Sequence, residues 1–385
     1  MLFVHHAAAV AGFCCLVLAC SYAVLSLIAV LRWEMRGAAV RPNKLPPVTV
    51  LKPLCGREPG LYEHLRSFCR QDYPDYQIVF GVCDPNDPAL AVVNCLMTEF
   101  PLLPIDIVVS AQQHGDNFKV GNLINMMPKA RHDLLVIADS DTWVDADYLA
   151  KVTAPLHDAS VGMVTCLYCD MPTSNIFSRL GAMYVNEWYM PSVMLAWLFG
   201  FEGYASGQTI GIRRDTLEAI GGLKGIANDL ADDYRLGERI RNLGLKLVLS
   251  PYLVRAQHDE PDFNALIRHE LRWLQTIRVL RPLSFRLLFV TFTLPLAAAG
   301  LVLTTALPPV SAAAWSLFVA AAGARLIVHA IHRRHGARAL LVDAWLVPAR
   351  DFLLCWVWTR CFFAAHFTWR GSEFEVGSDG LIRRP

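Results

Sequence analysis

Asp139-Ser140-Asp141 follows five consecutive apolar residues, Leu134–Ala138. Two carboxylates at the end of a buried strand lie within reach of one divalent cation, and Mg²⁺ or Mn²⁺ commonly shares such ligands with a substrate diphosphate. Solvation of a strand end is the plainer alternative. Another acid, Asp84, closes the strand-like run in Val82-Cys83-Asp84-Pro85-Asn86-Asp87. It suits hydrogen bonds to a nucleobase or ribose, and it equally suits a turn. The stretch Asn117–Asn122 sets Lys119 and two amides in a loop before a helix. Lysine is a compact charge for a phosphate, or simply a solvated loop residue. Asp229, Asp232 and Asp233 crowd one helical turn ahead of the periodic Leu236, Ile240 and Leu243. Adjacent carboxylates raise each other's pKa and so make one a general base, although acids at a helix start also complement the macrodipole. His269, Arg272 and Trp273 fall on one helical face at i, i+3 and i+4. Together they offer a cation for a leaving diphosphate and a flat surface for a sugar or base. An interfacial Arg/Trp anchor is the competing reading, because an apolar segment begins at Leu287.

These residues need a frame. Val48–Leu51, Tyr76–Cys83, Ile105–Val109, Leu134–Ala138 and Gly162–Tyr168 read as strands, and Gly60–Gln71, Leu90–Phe100 and Leu123–Ala130 as helices. Short apolar strands alternating with helices predict an α/β fold with a mainly parallel sheet, whose ligands bind beyond the carboxyl ends of the strands. Ala182–Phe199 reads as an interfacial helix in preference to a core one. Pro261–Leu280 reads as a helix with Pro in its first turn and Asp259 as its cap. Cys166-x-x-Cys169 falls on a strand and has no second pair at zinc spacing, so it reads as core, in a reducing compartment. There is no internal repeat or low-complexity tract.

Of 385 residues, 54% are hydrophobic and 18% charged, against about a quarter charged in soluble domains. Mean hydropathy is +0.35. So apolar a chain buries a core and is not disordered. The net charge of +1 excludes a broad basic surface for nucleic acid. That sum conceals a split, because residues 42–286 hold 23 basic and 28 acidic side chains, a net of −5. The first 41 residues carry +2 and the last 99 carry +4. Val10–Leu31 is free of charge and long enough to span a bilayer. Arg32, Arg36, Arg41 and Lys44 follow it, so it reads as a retained anchor entering the cytoplasm and not as a cleaved leader. Leu287–Leu307 and Val310–Ile331, the latter interrupted by Arg325, read as a spanning hairpin joined at Pro308–Pro309. Arg333, Arg334 and Arg338 return the chain to the positive side. Leu340–Phe367 contains Asp343, Pro348, Arg350, Asp351 and Arg360, and fits a spanning helix, a re-entrant pair or an interfacial helix. The expected organisation is an anchor (1–41), a cytoplasmic catalytic domain with interfacial helices (42–286), membrane or re-entrant helices (287–367) and a tail (368–385).

In order, Lys52-Pro53-Leu54, Asp84, Lys119-Val120-x-Asn122-Leu123, Asp139-x-Asp141, Asp232-Asp233 and His269-x-x-Arg272-Trp273 resemble the D, D, D, (Q/R)xxRW pattern. That pattern belongs to membrane-bound inverting glycosyltransferases of the ceramide glucosyltransferase type. Trp369-Arg370-Gly371 and Phe374-x-Val376 resemble their tail. Two features depart from the animal enzymes: His269 replaces Gln or Arg, and the full D-x-D favours a metal. Asp84-Pro-Asn-Asp-Pro-Ala, Leu123-Ile-Asn-Met-Met-Pro and Arg268-His-Glu-Leu-Arg-Trp resemble more closely the bacterial hopanoid-biosynthesis branch, which attaches N-acetylglucosamine to bacteriohopanetetrol.

The resemblance implies a GT-A, Rossmann-like domain flanked by transmembrane helices, in the bacterial inner membrane with its catalytic domain on the cytoplasmic face. It implies a UDP-sugar donor, a membrane lipid acceptor and Mg²⁺ or Mn²⁺. Pro53, Asp84, Lys119, Asn122 and Asp139 then bind the donor, with Asp139 and Asp141 on the metal. Asp233, beside Asp232, deprotonates the acceptor hydroxyl, while His269, Arg272 and Trp273 close over diphosphate and acceptor. One base on the face opposite the leaving group gives inversion through an oxocarbenium-like transition state. Ceramide glucosylation from UDP-glucose is the alternative within this class. A processive polysaccharide synthase would carry more membrane helices, and a non-catalytic scaffold has no need of acids at strand ends.

Overall fold

The computed structural model describes every residue except 1, 38–41, 43, 174, 202–204, 306–310, 336–341, 364–365, 370–371, 377–381 and 384–385. Arg41, Leu307, Pro308, Pro309, Val310, Arg338, Leu340, Arg370 and Gly371, on which expectations rested, lie outside the described residues. In chain order the elements are α1 (Leu2–Glu34), β1 (Val48–Pro53), α2 (Leu61–Cys69), β2 (Tyr76–Val82), α3 (Ala89–Glu99), β3 (Ile105–Val109), α4 (Phe118–Met126), β4 (Leu134–Ala138) and β5 (Thr142–Trp143). Next come α5 (Tyr148–Thr153), β6 (Val161–Asp170), α6 (Ile176–Tyr184), α7 (Met190–Leu198), β7 (Thr209–Arg213), α8 (Arg214–Ala219), α9 (Asp232–Asn242) and β8 (Lys246–Ala256). The last are α10 (Phe263–Leu280), α11 (Pro282–Leu287), α12 (Thr293–Thr304), α13 (Ser311–His335), α14 (Leu346–Cys361) and the short strands β9 (His366–Trp369), β10 (Ser372–Val376) and β11 (Ile382–Arg383). They fall into two compact units.

The first unit comprises Gly37–Met171, Phe201–Asp259 and Trp369–Pro385. Its main sheet has the order β3-β2-β1-β4-β7-β6-β8-β5. Strands β1, β2 and β4 are buried at every position, the continuous apolar pattern of strands covered on both faces. β3, β2, β1 and β4 pair in parallel. Four of the seven pairings are parallel, as expected of a mainly parallel sheet, and the remainder mixes directions. β7 runs antiparallel to both β4 and β6, β8 runs parallel to β6, and β5 runs antiparallel to β8. Pro53 lies opposite Gly81, and Leu51 opposite Ile137. The carboxyl ends of β1, β2 and β4 are therefore level, and the loops carrying Asp84 and Asp139 leave one edge.

Helix α4 begins earlier than expected, so Lys119 and Asn122 sit on the helix and not in a loop. Asn117 is its cap, accepting from the Val120 N–H at 3.1 Å, and Pro128 turns the chain into one 3₁₀ turn, Met127–Lys129. α4 packs tightly on β2. A Cβ at Gly81 would lie 2.4 Å from both Asn122 Oδ1 and Met126 Sδ.

The second unit comprises Met1–Arg36, Pro172–Gly200 and Glu260–Thr368 and is helical. Among the described residues two helices, His5–Glu34 and Ala312–Arg333, are long and apolar enough to cross a membrane. They contain the described parts of the expected Val10–Leu31 and Val310–Ile331 segments. The expected clean span from Leu287 is instead broken: Pro282–Thr291 and Thr293–Thr304 meet at 66°. Pro295 explains the break, since it has no N–H and its ring would clash with the Thr291 carbonyl of a continuous helix. The expected Ala182–Phe199 helix differs in extent and continuity. α6 starts at Ile176, capped by Asn175 at 2.8 Å from the Ser178 N–H, and a π turn, Val185–Tyr189, leads into α7. Pro191 has no N–H for the Glu187 carbonyl, which accounts for that widening, and Ser192 Oγ donates to the Trp188 carbonyl one turn back at 2.6 Å. Most of the segment is buried, including Tyr184, Glu187 and Trp188. α10 takes its cap from Asp262, 2.8 Å from the Ala265 N–H, and not from Asp259. α14, from the unassigned Leu340–Phe367 stretch, has 16 residues.

Gly81→Val is expected to cost about 1–3 kcal/mol through overpacking between β2 and α4. The thermal midpoint of purified protein in detergent should fall accordingly, and an unchanged midpoint would contradict this packing.

Candidate functional site

At the carboxyl edge of the sheet the backbone of Asp139-Ser140-Asp141 is held from three sides. Lys52 Nζ, at the end of β1, donates to the Asp139 carbonyl at 2.6 Å, and Thr142 Oγ1 donates to the same oxygen at 2.7 Å. The Gln257 N–H, just past β8, donates to the Asp141 carbonyl at 3.1 Å. Ser140 Oγ donates to Glu58 at 2.8 Å. Lys52 is fully buried and lies 3.7 Å from the Phe68 ring centroid. Burial pushes its pKa down to about 7, against the pull of Asp141 and Asp139.

Lys119 reaches the Asp139 side chain at 2.6 Å and Asp232 at 3.6 Å. Asp232 and Asp233 form the first turn of α9. Asn117 joins the two helix starts, since its backbone N–H donates to the Ala227 carbonyl at 2.9 Å and its side chain to the Asp229 carbonyl at 2.8 Å. Asp229, the third acid of the cluster, is bound by Arg235 at 2.9 Å. Gly207 leaves the space between Lys119 and Asp233; a Cβ there would lie 3.3 Å from Lys119 Nζ and 3.4 Å from Asp233 Oδ2. Desolvation opposes the charge of Lys119, but Asp139, Asp232 and Asp233 outweigh it and raise its pKa. Desolvation and the neighbouring Asp232 push Asp233 up to about 7 despite Lys119. Asp139 is also raised by desolvation, against Lys119.

Asp141 is treated differently. His258 bridges it to the buried Asp170, with Nε2 3.2 Å from Asp141 Oδ2 and Nδ1 3.2 Å from Asp170 Oδ2. Desolvation works against the imidazolium, yet Asp170 and Asp141 hold the His258 pKa well above its usual value. Desolvation likewise opposes the Asp141 charge, but the hydrogen bond and charge of His258 hold that carboxyl below its ordinary range. Asp141 is thus held ionised, whereas Asp233 is poised at about 7.

Lys119, Asp139, Asp141, Asp232 and Asp233 thus belong to one site. Asn122 is buried behind it, donating to the Gly81 carbonyl at 2.8 Å, and Pro53 ends β1 at the same edge. Asp84 is exposed on the loop after β2 and accepts from the Asn86 N–H at 2.8 Å, forming an Asx turn. His269, Arg272 and Trp273 lie on α10 in the helical unit. There His269 Nδ1 is 2.5 Å from Glu260, and its ring is 3.9 Å from that of Trp273. Sequence reading missed His258, Asp170 and the capping role of Asn117, and gave Lys52 no task of its own. A lysine inside an apolar strand was the available signal for the last; nothing local marked His258.

Among the described residues no three His, Cys, Asp or Glu side chains converge to enclose a metal ion. Asp139 and Asp141 still fit one held partly by a ligand: Asp141 Oδ1 is buried and accepts no hydrogen bond. Mg²⁺ and Mn²⁺ are typically completed by phosphate oxygens and water.

A family model described as glycosyl transferase family 21 matches residues 11–382. Ceramide glucosyltransferase 3 of Caenorhabditis elegans is 22% identical over 246 residues, covering 63% of this chain and 53% of that protein. Ceramide glucosyltransferase 1 of the same organism is 26% identical over 215 residues, covering 54% and 45%. The chain spans about half the length of these curated relatives. Among solved structures, the mannosyltransferase PcManGT from Pyrobaculum calidifontis, in complex with GDP-Man and Mn²⁺, matches with a TM-score of 0.52 and 20% identity, over 91% of this chain and 99% of that one. This likeness establishes the expected GT-A fold, with its mixed α/β sheet. With a match running through both units, the chain belongs to glycosyl transferase family 21.

Proposed function

We propose that this protein transfers a hexose from a UDP-sugar to a hydroxyl of a membrane lipid, with inversion, and that Asp233 is the general base. The observation that carries the reading is the cluster in which Lys119 is shared by Asp139 and Asp232 while Asp233 is raised to about 7. A base poised near neutral pH suits proton removal from an alcohol as it attacks. Asp139 and Asp141 would hold Mg²⁺ or Mn²⁺, which supplies charge stabilisation for the departing diphosphate. Lys119 screens the acids and offers its charge to phosphate. Pro53, Asp84 and Asn122 are assigned to the nucleotide side. Arg272 is assigned to the leaving group, and His269 and Trp273 to the acceptor. Inversion follows from a single displacement with the base opposite the leaving group.

The likeness of the Asp84, Leu123 and Arg268 segments to the hopanoid branch supports UDP-GlcNAc as donor and bacteriohopanetetrol as acceptor, at the cytoplasmic face of a bacterial inner membrane. A second reading, ceramide with UDP-glucose, is favoured by the names of the curated relatives. A donor-by-acceptor matrix with mass detection decides between them. The hopanoid reading expects a GlcNAc-hopanoid, and a product formed only from ceramide would overturn it.

Asp233→Asn should keep UDP binding and lower kcat about 10²–10⁴-fold, the usual contribution of a general base. Full turnover in that variant would remove the assignment. Because the Asp233 carboxyl must be ionised to accept a proton, kcat/KM should rise with pH up to about 7 and level off above it. A profile flat from pH 5 to 8 would be incompatible. Excess EDTA should abolish transfer, and Mg²⁺ or Mn²⁺ should restore it. Undiminished activity in the chelator would exclude the metal role of Asp139 and Asp141.

A further inference from the structure

Helix α10 carries His269, Arg272 and Trp273, and the residue after the first of them, Glu270, is fully buried. Both its oxygens accept from one guanidinium on α14. Arg350 Nη1 lies 2.5 Å from Oε1 and Nη2 lies 2.8 Å from Oε2. Among the described residues Arg350 is the largest fully buried side chain. Its Nη1 also donates to the Leu180 carbonyl of α6 at 3.3 Å, and the guanidinium is 5.7 Å from the Tyr184 ring centroid. Tyr184 packs on Trp273 at 5.1 Å between centroids, and Trp273 packs on His269 at 3.9 Å. Glu260, also buried, holds His269 Nδ1 at 2.5 Å.

A pair like this is a poor device for stability alone. Replacing a buried ion pair with apolar groups of similar volume is often neutral or stabilising. A two-pronged Arg–carboxylate contact does supply geometry, because it fixes a plane where a single contact leaves a swivel. Here the plane is anchored to the helix between two motif positions, and the same guanidinium abuts the ring against which Trp273 rests.

We propose that Arg350 and Glu270 are positioning residues that set the rotation of α10 and so the presentation of His269 and Trp273 for turnover. This rests on the glycosyl-transfer reading given above. The pair acts through α10 and touches no substrate.

The test compares wild type with the neutral double variant Glu270→Gln/Arg350→Met and with Arg350→Lys, in detergent with a UDP-sugar and lipid acceptor. The double variant should keep its thermal midpoint and a donor KM within about twofold of wild type while kcat falls about tenfold or more, since misplacement by about 1 Å costs up to about 100-fold. Arg350→Lys keeps the charge but loses the fork, and should show a smaller loss of kcat with the same UDP affinity. A purely structural pair predicts the reverse, a lowered midpoint with unchanged kcat per folded molecule. A folded double variant with wild-type kcat overturns the proposal. If the double variant does not fold, full kcat in Arg350→Lys overturns it. A wild-type protein that makes no glycolipid overturns the transfer reading, and the positioning role with it, whereas active wild type with unaffected variants overturns the positioning role alone.

Discussion

Lys119 stands between two carboxylates, 2.6 Å from Asp139 and 3.6 Å from Asp232, and the arrangement of the sheet unit follows from that sharing. Its three contributors come from α4, the end of β4 and the start of α9, so the parallel half of the sheet and the later helix must converge on one ammonium. Acids gathered away from water repel one another and are costly to ionise. One cation among them is enough to keep the group together and too little to neutralise it. The shortfall appears at Asp233, raised to about 7. Asp141, with His258 and Asp170 of its own, is held low instead. Environments that drive neighbouring carboxyl groups apart in pKa are how one site obtains both a fixed charge and a proton acceptor.

The helical unit meets the same cost by closing its ions into small networks of alternating charge. Arg325 binds Glu187 at 2.8 Å and Asp351 at 3.0 Å, and His329 binds Glu187 at 2.7 Å. Asp343 receives both Arg179 at 3.2 Å and Arg333 at 2.9 Å. Charges placed on apolar helices are expensive unless each finds a partner inside the bundle. Elsewhere in this unit Gly12 and Gly300 bring α1 and α12 so close that a Cβ on either would lie 2.6 Å from the other's carbonyl oxygen. Small residues at such crossings let backbones pack where no hydrophobic gain remains between helices in lipid.

β1, β2, β4 and β6 were legible in the sequence because burial on both faces leaves a plain apolar run, and Leu134–Ala138 matches its strand to the residue, whereas β5, β7 and β8 were not read as strands. The chemistry at the strand ends was legible for the same reason: Asp139 and Asp141 break such a run abruptly. The start of α4 was hidden because Asn117 and Gly121 look like loop residues, although a capping Asn is what a helix start requires. His258 carried no local mark, as its partners Asp141 and Asp170 come from distant parts of the chain. The breaks at Pro191 and Pro295 did have a signal, and hydropathy simply outweighed it. The antiparallel β7 had none, because Thr209–Arg213 gives no hint of direction.

Leu346–Cys361 shows why charge counting fails on such segments. Arg350 and Asp351 are consecutive, so on a helix of 3.6 residues per turn they leave its axis about 100° apart and cannot serve one partner. Arg350 turns to Glu270 of α10. Asp351 turns to Arg325 of α13 and also accepts from the Leu294 N–H at 3.4 Å, capping α12 just where Pro295 breaks the chain. A hydropathy window reads these charges as a defect in a membrane segment. With their partners in view they are the reason a helix of only 16 residues holds its neighbours in register: Arg350 reaches α10 and α6 while Asp351 reaches α13 and α12, a division that no apolar side chain at those positions would make.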